Sequence, residues 1–236
     1  MLRHVLSAAV LGLLATAQCA YAQARIEVSP VSVDLTAVKP ISSLRLRNTA
    51  STPAAFDAKA YVWTQENGQD QLAPASGIIV SPPAFVIAPG GEQIVRIASL
   101  TKGAPAVERA YRLLFSETPL QNGAAPAGLR LRIQLSLPVF LAPASRGGAP
   151  KPHVEYINSG KQRGVRIDNT GAVHLILTDG AFGTEKLSLP RYLLAGASVE
   201  RPAPANGALA LSYLDPDAQE ISRSEYAPAE PNVSGR

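Results

Sequence analysis

Few side chains in this chain are equipped for chemistry, and their spacing decides which kind. There are three histidines, His4, His153 and His174, and one cysteine, Cys19. His153 and Glu155 in "HVEYINSG" share one face of a strand, but two donors fall short of a metal site. His174 lies in the apolar run "AVHLIL", where a hydrogen-bonded structural histidine is expected rather than a catalytic one. There is no GxSxG, no phosphate-cradling glycine loop and no HExxH. Asn232-Val233-Ser234 matches a glycosylation acceptor, but so short a motif in an aperiodic tail carries little weight. The expectation is a non-enzymatic protein with no catalytic residues, no metal and no cofactor, and the weight shifts to binding.

What the chain offers for binding is apolar surface. In "GLRLRIQLSLPVFLAP", residues 128–143, Leu129, Leu131, Ile133, Leu135, Leu137, Val139 and Leu141 alternate with Arg130, Arg132, Gln134 and Ser136. A period of two marks a strand with one apolar and one polar face. The run covers about thirteen residues, roughly twice the usual strand length. A strand that long is expected to do more than fill its own core.

The segments that must position it read as β-structure throughout. The chain opens with Arg3 and His4, an apolar run from about Val5 to Ala17, and Ala20-Tyr21-Ala22, the pattern of a secretory signal peptide over residues 1–22. Gln18 interrupts the run before it reaches membrane-spanning length, so no membrane insertion is expected and the protein is read as exported and soluble. Cys19 falls inside that leader, which leaves the mature chain without an internal disulfide and its stability to the core. The net charge of +4 is spread without runs of like sign, which argues against nucleic-acid binding. Seven short strand-like segments punctuated by turns such as Asn67-Gly68 and Pro89-Gly90-Gly91 predict an antiparallel immunoglobulin-like sandwich over residues 23–143. A Gly/Pro-rich elbow follows at 144–152, then a smaller β-sandwich at 153–222 and an aperiodic, disordered tail at 223–236. No internal repeat stands out.

The order of "IEVSPVSVDL", "LRLRN", "IIVSPPAFVIAPGGEQIVRIA", "ERAYRLLFSETP" and "LRIQLSLPVFLAP", with "VRIDNTG" later, resembles the periplasmic chaperones of the chaperone-usher pilus pathway. The resemblance spans the mature chain and implies an all-β, PapD-like architecture of two immunoglobulin-like domains joined by an elbow. It implies a periplasmic chaperone that binds pilus or fimbrial subunits with an incomplete fold and passes them to an outer-membrane usher. The long strand would complete the subunit by donor-strand complementation, a form of strand addition. Leu129, Leu131, Ile133 and Leu135 would then be the subunit-binding residues. Burying four such side chains contributes on the order of 6 to 12 kcal/mol before the costs of association.

The resemblance is incomplete where charge is needed. The family anchors the subunit's terminal carboxylate with two basic residues, and at the corresponding positions stand Ser32 and Pro138. The departure resembles the divergent, archaic branch, in which "SLPVF" is typical. Arg96, on an otherwise apolar strand, is the first substitute, with a structural ion pair to Glu108 or another carboxylate as the alternative. Glu108 corresponds to an acidic residue that braces the two domains, although Ala142 replaces its usual arginine partner. An adhesive or structural fibre subunit is the rival reading; carbohydrate-binding sandwiches favour clustered aromatics, and Trp63 is the only tryptophan. An unoccupied apolar strand invites aggregation, so self-association of the free protein is also expected.

Overall fold

The computed structural model describes residues 26–120, 132–145, 152–159, 162–204, 207–214 and 221–228, and every regular element among them is a strand. The first domain contains β1 (Ile26–Ser29), β2 (Val33–Leu35), β3 (Ile41–Asn48), β4 (Ala54–Glu66), β5 (Gln69–Pro74), β6 (Ile78–Ser81), β7 (Ala84–Ile87), β8 (Glu92–Ser99), β9 (Arg109–Thr118) and β10 (Gln134–Leu141). They form two sheets, β1-β3-β8-β6 and β2-β10-β9-β4-β5, with β7 also paired to β4. Alternation assigns the faces: Leu44, Leu46, Val95 and Ile97 turn inward while Arg45, Arg47 and Arg96 turn out. Facing them from the other sheet, Phe56, Leu113, Phe115 and Val139 close the core. This interdigitation of two inner faces is what holds a sandwich without covalent staples.

The second domain comprises β11 (Pro152–Ser159), β12 (Gln162–Asn169), β13 (Leu175–Phe182), β14 (Glu185–Lys186), β15 (Tyr192–Leu193), β16 (Ser198–Pro202), β17 (Leu209–Leu214) and β18 (Ser222–Tyr226). Its sheets are β11-β12-β16 and β14-β13-β17-β18, with β15 paired to β13. The expected tail beginning at 223 is corrected here: residues 223–226 belong to β18, hydrogen-bonded along β17. As an edge strand largely open to solvent, β18 carries Ser, Arg, Ser, Glu and Tyr and leaves no apolar alternation to read.

The two domains share a corner that the sequence did not reveal as a repeat. Asn48, fully buried at the end of β3, donates from Nδ2 to the carbonyls of Thr52 (2.7 Å) and Ile87 (3.2 Å), and its Oδ1 accepts from Ala50 N (3.0 Å). Asn169, at the end of β12, repeats this with Val173 (2.8 Å), Leu193 (2.9 Å) and Gly171 N (3.0 Å). In each case a glycine with positive φ, Gly90 or Gly196, donates its N–H back to the asparagine carbonyl at 2.9 Å. A fully satisfied buried amide ties one strand to a distant turn where an apolar residue would strand the carbonyls.

Candidate functional site

The long apolar run becomes β10, and its two ends differ. Along its whole length β10 pairs antiparallel with β9, from Gln134 opposite Ser116 to Leu141 opposite Arg109. On its other side, β2 runs parallel to it over Val139–Leu141 only. From Gln134 to Leu137 that side of the ladder has no strand beside it among the described residues, an open edge at the rim of the sheet.

Burial fades toward the open end, with Leu137 still covered although β2 does not reach it. Leu137, Val139 and Leu141 are core residues, whereas Leu135 is half-buried against the core and Ile133, just before the strand, is also only partly covered. Ile133 is held in line with β9 by Glu117, which accepts its N–H at Oε2 (2.9 Å) and donates its own N–H to the Ile133 carbonyl (2.9 Å). The inner row therefore continues past the closed core into an end that is only partly covered by the described residues. Leu129 and Leu131 lie outside the described residues.

The charged candidates separate. Arg96 is exposed on the outward face of the sheet that does not contain β10, between Ser43 and Ser81, and the alternative Arg96–Glu108 ion pair is not formed. Ser32 and Pro138 each stand one residue before the paired Val33 and Val139, so the two positions aligned with the family's basic pair adjoin. The cation nearest them in the sheet is one the sequence reading missed. Arg112 on β9 is directly opposite Pro138 and, across β4, opposite Tyr61. Its guanidinium stacks 3.6 Å from the Trp63 ring centroid and stands 3.5 Å from Asp70 Oδ2. Burial draws its pKa below the usual arginine value, with Asp70 and Tyr192 acting in the opposite direction. "AYRLLF" held the signal, an arginine inside an apolar strand, but Arg96 met the same description.

Glu108 sits where the domains meet. Its Oε1 lies 2.8 Å from His174 Nδ1 and accepts the His174 main-chain N–H at 3.0 Å, while Glu108 N donates to the Ala172 carbonyl at 2.9 Å. Both side chains are only 3% exposed, and the imidazole stacks on Phe140 of β10 with centroids 3.7 Å apart. His174 is thus a hydrogen-bonded structural histidine, as its apolar setting predicts, and it is the partner that Glu108 finds in the second domain. Trp63, the only tryptophan, is 2% exposed and packs between the domains, so it offers no aromatic surface to a sugar. Beside it runs a cleft of about 520 Å³ lined by Trp63, Gln65, Glu108, Ala110, Leu194 and Gly196.

The profile of the pili and flagellar-assembly chaperones, PapD N-terminal domain, matches residues 25–146, more than half of the chain. The chain belongs to that family. Solved structures agree on the fold of this chaperone. It is similar to the CsuC–CsuE chaperone–tip adhesion subunit pre-assembly complex from archaic chaperone-usher Csu pili of Acinetobacter baumannii, with 19% identity, a TM-score of 0.68, and 84% of this chain and 97% of that one covered. The SafA pilin–SafB chaperone complex of Salmonella enterica matches with 15% identity, a TM-score of 0.67, and coverage of 86% and 96%. The E. coli chaperone DraB matches with 16% identity, a TM-score of 0.66, and coverage of 87% and 97%. No curated protein matches the chaperone in sequence.

Proposed function

We propose that this chaperone works in the periplasm, where it binds pilus or fimbrial subunits with an incomplete immunoglobulin-like fold, completes them with the start of β10, and delivers them to an outer-membrane usher. The observation that carries the reading is the open edge of β10 beside the half-covered Ile133 and Leu135. An incoming subunit strand would take up the free main-chain groups, each hydrogen bond contributing about 1 kcal/mol. Each aliphatic side chain it covered would add part of the roughly 1.5–3 kcal/mol that full burial supplies. Leu129 and Leu131 would extend the same face.

For a subunit's terminal carboxylate, Arg112 fits better than Arg96, because it lies in the same sheet as β10 and faces Pro138. Guanidinium groups pair well with carboxylates, and a partly desolvated one binds more strongly than one in water. Glu108 is read as the brace that keeps the second domain in place while the subunit is held.

The test is co-expression in a bacterial periplasm with the fibre subunits encoded beside the chaperone, comparing the wild type with Leu131→Arg plus Ile133→Arg by pull-down and thermal melting. A variant that folds normally but captures no subunit supports the reading. Unchanged capture overturns it, and joint loss of folding and capture shows ordinary core.

A further inference from the structure

The β4–β5 hairpin does little for the domain it belongs to. β4 is thirteen residues long, but β9 covers only Ala55–Val62; from Trp63 to Glu66 the only strand paired with it among the described residues is β5. All six residues of β5 are exposed, so the arm adds almost nothing to the first core. A two-stranded ribbon standing free of a sheet is marginal in water. Something else must hold this one.

What holds it is the second domain. Trp63 packs into that domain's apolar cluster, its ring 5.6 Å from that of Tyr192. Gln65 behaves like a strand residue: its Nε2 donates to the Tyr192 carbonyl (2.8 Å) and its Oε1 accepts the Leu194 N–H (2.9 Å). The same Nε2 bonds Asp70 Oδ1 at 3.0 Å, which orients the amide. Asn67 Oδ1 accepts the Glu200 N–H at 2.9 Å. At the tip, Gly68 lies so close to buried Val199 that an added Cβ would stand 2.7 Å from Val199 Cγ2. Asn67 and Gly68 both have positive φ, +47° and +71°, the pairing a two-residue hairpin turn requires.

We propose that this hairpin is a splint that sets the angle between the two domains, with Gly68 fixing how closely they approach. A single attachment would leave the domains free to rotate about it. The hairpin and the Glu108–His174 contact are two, carried by different segments, and together they remove that freedom. The inference concerns the free protein and stands without the donor-strand reading; only its consequence for subunit capture rests on that reading.

Two variants test it. Gly68→Val forces the tip back by about 1 Å to reach ordinary van der Waals distance and also strains the turn at φ +71°, whereas Gln65→Ala removes that side chain's two cross-domain bonds without altering the turn. The readout is the distance distribution between spin labels at Arg47→Cys and Glu185→Cys in a Cys19→Ser background, alongside Trp63 emission. Trp63 is the sole tryptophan, and its Nε1 is buried without a hydrogen-bond partner, so its emission is expected to be blue and to move red if the domains part. Longer, broader distances and a red shift in both variants, with unfolding still cooperative, support the splint. An unchanged distribution in Gln65→Ala and Gly68→Val overturns it. Altered distances with wild-type capture keep the splint and remove its link to subunit binding, whereas capture lost through Ile133→Arg at unchanged distances reports on the donor strand alone.

Discussion

The two ends of β10 are made of the same kind of residue and do different things. Leu137, Val139 and Leu141 are buried against the facing sheet, the last two with β9 on one side and β2 on the other, while Ile133 and Leu135 belong to the same inner row and are left partly uncovered. Hydropathy does not separate them; position along the sheet does. β2 begins at Val33, opposite Val139, and the part of β10 before Pro138 has only β9 beside it among the described residues. Cover of the inner row extends one inward residue, Leu137, past the end of β2 and then fades.

The contrast can be broken most forcefully at its closed end. Leu141→Ala removes a side chain that is 1% exposed, and is expected to lower unfolding free energy by about 2–5 kcal/mol in a denaturant titration. Next comes the contact behind it. His174→Ala leaves the Glu108 carboxylate buried with only a main-chain donor, at an expected cost of about 1–3 kcal/mol by the same titration, with a larger effect on the second domain's docking than on either core. Leu135→Ala, half-buried, should cost about 1 kcal/mol. Ile133→Arg should change stability by less than about 0.5 kcal/mol and yet reduce subunit capture in pull-downs more than any of the others. If Ile133→Arg destabilises as much as Leu141→Ala, the two ends are one core and the distinction fails.

Much of the architecture could be read from the order of residues, because alternation and turn chemistry are local. "SLRLRN" and "EQIVRIA" declare their faces, Asn67-Gly68 declares its hairpin, and the alternation up to Leu141 declares a strand with one apolar face. What could not be read depends on partners distant in sequence. Nothing near Arg96 or Arg112 says which sheet faces the other domain, since that follows from pairing register. The His174–Glu108 contact spans 66 positions, so a search for the partner of Glu108 around Ala142 could not find it. The asparagine corners escaped notice because the bonds closing them span 39 positions in one domain and 24 in the other, with little but Asn-Thr and a glycine in common.

Those asparagine corners also decide what the protein needs in order to mature. Each fastens a strand end to a remote turn with hydrogen bonds alone, where a disulfide would need an oxidant. With a single cysteine in the entire sequence, no oxidant, thiol catalyst or order of bond pairing enters its folding. Its melting should therefore be the same with and without reductant, so that the protein can refold while neighbouring thiols are still unpaired.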